Sequence, residues 1–225
     1  MIVFDHVIKK YPLGNIALDD VSFKINDNEF VFLVGPSGAG KTTIIKLLLR
    51  EITPTKGTIT LGDFNIADKK FTRIENLRRQ IGIVFQDFKI LNDKNIFENV
   101  SLSLRVTGMP SATIRTEVKE SLQLVGLSGK EKVFPAQLSA GELQRVAIAR
   151  AIVGNRDILI ADEPTGNLDP KTSWEIMKIF KKIEGKKTII IATHNSDIVN
   201  SLKKRVIVLK DGKIIKDLKK GGYDL

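Results

Sequence analysis

Short apolar runs, each closed by glycine, proline or polar residues, divide the chain into segments. Ile2-Val3-Phe4, Val21-Ser22-Phe23-Lys24-Ile25 and Phe30-Val31-Phe32-Leu33-Val34 carry strand-type residues, so residues 2 to 34 read as β-rich. Tyr11-Pro12-Leu13-Gly14-Asn15 is a turn between the first two. Thr58-Ile59-Thr60-Leu61, followed by Gly62-Asp63, reads as a strand and turn, and Ile81-Gly82-Ile83-Val84-Phe85 as another strand. Further on, Asp157-Ile158-Leu159-Ile160-Ala161, Thr188 to Thr193 and Val206-Ile207-Val208-Leu209 repeat the pattern, the last turning at Asp211-Gly212 into Ile214-Ile215. Helical spacing appears instead in Ile44–Leu49, Ile96–Leu104, Ile114–Val125, Leu143–Ile152, Lys171–Ile183 and Asp197–Lys204. Gly108-Met109-Pro110 separates two of these, with Ser111 the expected N-cap, and Pro170 suits a helix start. Strands alternating with helices predict an α/β fold with a mainly parallel core sheet. The expectation is one domain over 1–225: an α/β core with a β subdomain over about 1–90 and 155–225, and an inserted helical lobe over about 91–154.

The strand Phe30–Val34 runs into Gly35-Pro36-Ser37-Gly38-Ala39-Gly40-Lys41-Thr42-Thr43, which opens a helix. This is the G-x-x-x-x-G-K-[ST] spacing of a phosphate-binding loop, in the strand–turn–helix context that the chemistry needs. Gly35, Gly38 and Gly40 let the backbone curl so that successive N–H groups point at phosphate oxygens. The helix N-terminus adds partial positive charge, Lys41 reaches the β- and γ-phosphates, and the Thr42 hydroxyl can ligate Mg²⁺. ATP and Mg²⁺ are therefore the expected cofactors.

Ile158 to Ala161 deliver Asp162 and Glu163 at a strand end, the edge where ligands bind in open α/β sheets. Asp162 can hold Mg²⁺ through water or Thr42, and Glu163 can polarise a water for attack on the γ-phosphate. Gln86 ends a strand with an amide able to reach metal or water. His194 ends another, where it is either structural or a contact to the γ-phosphate. Tyr11 either packs in its turn or offers an aromatic face to a base. Leu138-Ser139-Ala140-Gly141-Glu142 opens a helix with Ser139 as N-cap. It is either a capped helix and no more, or an anion site facing the nucleotide of another subunit.

Composition narrows the classes. The chain has 225 residues, no cysteine and two histidines, which excludes disulfides, thiolate metal sites and a histidine-rich metal centre. No apolar run approaches the ~20 residues that span a bilayer, and Asp5, His6 and Lys9 break any signal-peptide pattern, so a cytosolic protein is expected. The net charge of +10 lies in scattered lysine clusters such as Lys181-Lys182, Lys186-Lys187, Lys203-Lys204-Arg205 and Lys219-Lys220, without interleaved aromatics. These suit solvated faces or an anionic membrane surface better than base stacking, and no specific nucleic acid is expected.

In order, the loop 35–43, Gln86, Leu138–Glu142, Asp162-Glu163, Asn167-Leu168-Asp169 and His194 resemble the motifs of ABC-type ATPases along essentially the whole chain. The resemblance implies a P-loop NTPase core of ABC type with an N-terminal antiparallel β subdomain and an inserted α-helical lobe. It implies a homodimer, head to tail, with two ATP molecules, each between the phosphate loop of one subunit and the Ser139-Ala140-Gly141-Glu142 signature of the other. It gives Tyr11 adenine stacking, Gln86 metal and water contact with partner coupling, and Asp169 crosstalk between sites. Glu163 becomes the catalytic base and His194 the γ-phosphate sensor. Leu77-Arg78-Arg79-Gln80-Ile81-Gly82-Ile83-Val84-Phe85-Gln86-Asp87-Phe88 is similar to the cell-division branch of the family. Ala161–Pro170 and Asn200–Val206 reinforce this, although Asp162–Asp169 is shared with lipoprotein-releasing and macrolide-exporting members. That branch implies an FtsX-like polytopic membrane protein as partner, docked near Gln86 and Phe88 to Phe97. It also implies an indirect link to peptidoglycan hydrolases and a peripheral place on the cytoplasmic face of the bacterial membrane.

Two positions depart from the family pattern. Ala140 stands where Gly is usual and would cost of order 1 kcal/mol if that site required φ > 0. Asn195 stands where Asp commonly follows the histidine, which bears on how His194 is held. Competing readings are a transport ATPase of the same architecture, or a nucleic-acid-associated ATPase suggested by the charge. A non-hydrolysing scaffold is opposed by Glu163 and His194.

Overall fold

The computed structural model describes residues 1–154 and 156–222; Tyr223, Asp224 and Leu225, the end of the tail whose order the sequence left open, lie outside the described residues. The chain forms two compact units, one of residues 1–79 and 184–225, the other of residues 80–183.

The first unit holds two sheets. One is antiparallel, in the order β2-β1-β4-β5, from β1 (Ile2–Lys10), β2 (Ile16–Ile25), β4 (Lys56–Leu61) and β5 (Phe64–Asn65). The sequence pattern marks only Ile2 to Phe4 of β1, because Asp5-His6 breaks the alternation. The strand continues through a bulge at His6, whose φ is 48°, and the pairing register with β2 shifts there. Asp20, with φ 57°, bulges β2 in turn, so Leu18 and Val21 are both buried although they are three residues apart. Phe4 and Phe23 stack across this pair, ring centroids 4.5 Å apart.

The other sheet joins β10 (Lys213–Leu218), β9 (Arg205–Lys210), β3 (Phe30–Val34) and β8 (Thr188–Thr193). β3 pairs in parallel with both β8 and β9, while β9 and β10 form the antiparallel hairpin expected at Asp211-Gly212. Every residue of β3 and β8 is buried, which explains their continuous apolar runs. Helices α1 (Lys41–Leu48), α2 (Ile74–Arg79) and α7 (Ser196–Leu202) complete the unit. The sequence pattern predicts no helix at α2, whose single buried residue, Leu77, leaves no stripe to read.

The second unit contains a parallel strand pair, β6 (Ile81–Val84) and β7 (Ile158–Asp162), with helices α3 (Ile96–Val106), α4 (Ser111–Leu124), α5 (Ala140–Ile152) and α6 (Pro170–Ile183). α5 is its hub: it packs on β6, α3, α4 and α6, and Val146, Ala147, Ile148 and Ala149 are fully buried. Asn95 caps α3 with a reciprocal box to Glu98. The expected cap of α4 is corrected: Pro110 is the N-cap and Ser111 the first helical residue. Proline's fixed φ, here −58° with ψ 141°, already sets the entry into the helix, so no side-chain cap forms.

β6 and α5 meet where only hydrogen fits. A methyl on Gly82 would lie 1.9 Å from the Ala151 carbonyl oxygen. Gly82→Ala is expected to push α5 off β6 and cost about 2–3 kcal/mol, read as a lower midpoint in denaturant at unchanged m-value. A midpoint equal to that of the parent chain would refute this packing.

Candidate active site

The phosphate loop lies between β3 and α1. Its glycines are required by backbone shape: φ is 151° at Gly35, 80° at Gly38 and 110° at Gly40. Space adds a second constraint at two of them. A methyl on Gly35 would lie 2.2 Å from the Leu209 carbonyl oxygen, and one on Gly40 would lie 2.7 Å from the Leu18 side chain. Gly38 faces open space, so only its backbone shape requires glycine. Pro36, Ser37 and Gly38 are exposed, as is Thr42, while Ala39 and Thr43 are buried. Lys41 is nearly buried, and its ammonium donates to the Gly35 carbonyl at 2.6 Å and that of Pro36 at 3.1 Å. The loop thus holds its own lysine at its centre, and the ring of backbone donors with one cation fits a polyphosphate.

The β9–β10 turn braces this loop. Gly212 N–H donates to the Ala39 carbonyl at 3.3 Å, and Asp19 N–H donates to the Gly212 carbonyl at 2.9 Å. In the same unit, Val34 of β3 pairs with Thr193 of β8, so Gly35 and His194 leave the sheet side by side at its carboxyl edge. His194 is exposed there. Asn195 is the N-cap of α7 and its side chain accepts from Ile198 N–H at 3.1 Å. Asn does here the capping that Asp would do, so the departure at 195 leaves the chain after His194 anchored. Tyr11 is half-buried in the turn before β2, with the Lys9 ammonium 5.2 Å from its ring centroid. Leu18 of β2, whose side chain faces Gly40, belongs to the strand that this turn begins.

The second unit collects the remaining residues. Val84 of β6 pairs with Ala161 of β7, bringing Gln86 and Glu163 to one strand edge. A methyl on Gly166 would lie 3.4 Å from Gln86 Nε2, so the exposed Gln86 amide faces the loop that follows Glu163. Asp162 ends β7, and Glu163 takes φ 47°, uncommon for a residue with a side chain and a mark of a loop held by its surroundings.

Ser139 is the N-cap of α5, as its sequence context predicts, within a reciprocal box. Its hydroxyl accepts from Glu142 N–H at 3.3 Å, and Glu142 Oε2 accepts from Ser139 N–H at 2.9 Å. Ala140 is the first helical residue and is not among those with positive φ, so Ala carries no strain there. Gly141 is held to glycine by space: its methyl would lie 2.5 Å from Thr172 Cγ2 on α6. Asp169 begins that helix, its carboxylate accepting from Thr172 N–H at 3.0 Å. Hydrogen bonds from Thr172, side chain first and then backbone, lower its pKa. The starts of α5 and α6 therefore lie side by side in this unit.

Glu142 is committed inside the protein. The Lys130 ammonium above all, then Ser139 N–H, hold its carboxyl at a pKa of about 2 against an ordinary 4.5. The folded value is the depressed one, so this stabilisation is fully present above about pH 4.5 and is lost as pH falls toward 2. Lys130→Met is expected to flatten the fall in thermal midpoint between pH 5 and pH 3 in buffers of matched ionic strength; parallel curves for both proteins would show that the pair contributes nothing.

Two residues that the sequence motifs pass over also touch these loops. Gln144 is buried and donates to the Pro164 carbonyl at 2.7 Å, and Arg150 donates to the Phe88 and Lys89 carbonyls. The available signal for each was a polar side chain among four on α5, with Glu142 and Arg145, and it gave no direction.

A family model described as ABC transporter matches residues 18–166. The chain belongs to the ABC transporter family. It is an ATP-hydrolysing cassette that uses ATP with Mg²⁺, and the resemblance read from its motifs holds. The cell division ATP-binding protein FtsE of Bacillus subtilis (strain 168) is 51% identical over 224 residues, 99% of this chain and 98% of that protein. The cell division ATP-binding protein FtsE of Mycobacterium tuberculosis is 45% identical over 227 residues, 100% of this chain and 99% of that protein. Among solved structures, the dimeric structure of MJ0796, titled a bacterial ABC transporter cassette, aligns with a TM-score of 0.88 at 35% identity, covering 99% of this cassette and 100% of that chain. A post-hydrolysis dimer of MJ0796 bound to ADP and Pi aligns with a TM-score of 0.88 at 34% identity, with the same coverage. Among the described residues of this cassette, no helix is long and apolar enough to cross a membrane.

Proposed function

We propose that this cassette is the ATP-hydrolysing subunit of an FtsEX-like membrane complex. It dimerises on MgATP at the cytoplasmic face of the bacterial membrane and couples turnover to an FtsX-like polytopic protein. Through that partner it regulates peptidoglycan hydrolases in cell division. The observation that carries this reading is the 51% identity to a cell division ATP-binding protein across 99% of the chain.

The residues take these roles within one domain. Gly35 to Thr43 bind the phosphates, with Lys41 on the β- and γ-phosphate oxygens, and Tyr11 stacks on the adenine. Thr42, Asp162 and Gln86 would hold the Mg²⁺, which would supply neutralisation of the charge on the transferring phosphoryl group. Glu163 accepts a proton from the attacking water, and His194 senses the γ-phosphate. Ser139 to Glu142 offer the α5 N-terminus to the nucleotide of the second subunit, and Asp169 links the two sites. ATP bridges the subunits and ADP bridges them less well, which is the differential binding that moves the partner.

The resemblance places that partner near Gln86 and Phe88 to Phe97, and from Phe97 we extend the docking surface to the groove of about 310 Å³ lined by Phe97, Arg105, Met109, Ser111, Ile114 and Arg115. Exposed Leu102 and Val106 stand on the same helix, α3. Two guanidinium groups among apolar side chains suit a cytoplasmic segment that carries both carboxylates and an apolar anchor.

The test is a membrane pull-down with Glu163→Gln in MgATP, read by mass spectrometry. Recovery of an FtsX-like permease, lost in Arg105→Glu/Arg115→Glu, is the expected result. Recovery of lipoprotein-releasing or drug-exporting permeases would move the cassette to transport with its chemistry unchanged. Recovery of nucleic acid alone would refute the membrane role.

A further inference from the structure

The loop that carries Gln86 has an unusual backbone. Phe88 and Lys89 are consecutive residues with φ 58° and 50°, and neither is glycine. Two such residues in succession do not persist without an outside hold. Asp87 and Lys89 pair at 2.7 Å, but both side chains are well exposed, and an exposed pair is a weak hold.

The hold comes from the last turn of α5. Arg150 Nη2 donates to the Phe88 carbonyl at 2.7 Å, and Nη1 donates to the Lys89 carbonyl. The acceptors are thus the carbonyls of the two strained residues. A bidentate guanidinium is the side chain suited to this, since it fixes two acceptors in one plane. The guanidinium is half-buried: its bond to the Phe88 carbonyl is partly shielded from solvent and its bond to the Lys89 carbonyl lies at the surface, and burial pushes its pKa below the ordinary value.

Six residues earlier on the same helix, buried Gln144 donates to the Pro164 carbonyl in the loop after Glu163. That loop in turn faces the Gln86 amide across Gly166. Within this unit, α5 therefore anchors both the loop that carries Gln86 and the loop after Glu163.

We propose that Arg150 is a positioning residue: by clamping the Phe88 and Lys89 carbonyls from α5, it holds the Gln86 amide at the place where it serves ATP hydrolysis. The inference rests on the reading of Gln86 as a metal and water contact. Arg150 acts on the loop through the Phe88 and Lys89 carbonyls, and its effect passes through that loop.

The experiment is a double-mutant cycle on the full chain. Turnover is measured by phosphate release, affinity with the fluorescent analogue mant-ATP, and stability by thermal midpoint. Arg150→Ala is expected to lower kcat about tenfold while the Kd for mant-ATP stays within about twofold. In a Gln86→Ala background the same change is expected to add less than about twofold, because the group it positions is gone. Arg150→Lys, which keeps the charge but lacks the fork, is expected to fold normally and lose about threefold in kcat, with the same loss of effect beside Gln86→Ala. If Arg150→Ala fails to fold, the Lys variant carries the cycle. Unchanged turnover in Arg150→Lys, or losses that multiply in full with Gln86→Ala, overturns the positioning role alone. Unchanged turnover in Gln86→Ala itself overturns the reading of Gln86 and this inference with it.

Discussion

Replacing Glu163 by Gln is expected to lower ATP turnover by about 10²–10⁴-fold, the range that a positioned general base contributes. The exchange is isosteric and removes only the carboxylate that accepts the proton. The backbone at 163 already holds a residue with a side chain at φ 47°, and Gln occupies that conformation as Glu does. The Pro164 carbonyl keeps its hydrogen bond from Gln144. Nucleotide affinity is therefore expected to stay within about twofold, since the phosphate loop is untouched, and a dimer should accumulate in MgATP because the step that dissolves it has been slowed. Phosphate release gives the rate and light scattering after size exclusion gives the mass. Turnover within tenfold of the parent chain would remove Glu163 from the role of base. A monomer in MgATP, with turnover lost, would leave the chemistry standing and refute nucleotide-driven dimerisation.

Lys41→Ala is expected to weaken ATP binding by about 10- to 100-fold, since hydrogen bonds to a charged group are worth about 1.5–3 kcal/mol and each 1.4 kcal/mol is a factor of ten. The geometry argues for a local effect. The ammonium is held by the Gly35 and Pro36 carbonyls at 2.6 and 3.1 Å, so its position is set before any phosphate arrives and little ordering is left to do on binding. Removing it leaves those two carbonyls without that donor, and a modest loss of stability should accompany the loss of affinity. Titration with mant-ATP gives the affinity and a thermal scan gives the stability. Affinity within twofold of the parent would mean that the backbone N–H groups alone carry phosphate binding.

Much of this protein was written in local pattern. The phosphate loop needs glycines where φ is positive and a lysine at its end, and those residues are contiguous, so a short stretch carries its own chemistry. Strands β3, β7 and β8 are buried along their lengths, and continuous apolar runs disclose them. Ser139 was legible as an N-cap for the same reason, and the structure adds its reciprocal bond with Glu142, three residues on. The family membership followed from the order of such stretches.

Other features depended on partners far away in sequence. The bulge at His6 interrupts alternation, so β1 looked three residues long until its pairing with β2 and β4 carried it to Lys10. Gly82 and Gly141 are ordinary glycines by sequence. They become obligatory only because Ala151 and Thr172 stand against them. The family pattern left the cost of Ala140 dependent on whether that site required φ > 0; the helix that starts at that residue shows that it does not. Gln144 and Arg150 carry no signal of their own in the sequence; their acceptors, 20 and about 60 residues away in the chain, give them direction. Chemistry carried by consecutive backbone groups is determined by the sequence itself. Where a side chain meets a carbonyl or a methyl from another element, only the packed tertiary structure decides, because the cost of a clash or an unmade hydrogen bond exists only once the two are brought together.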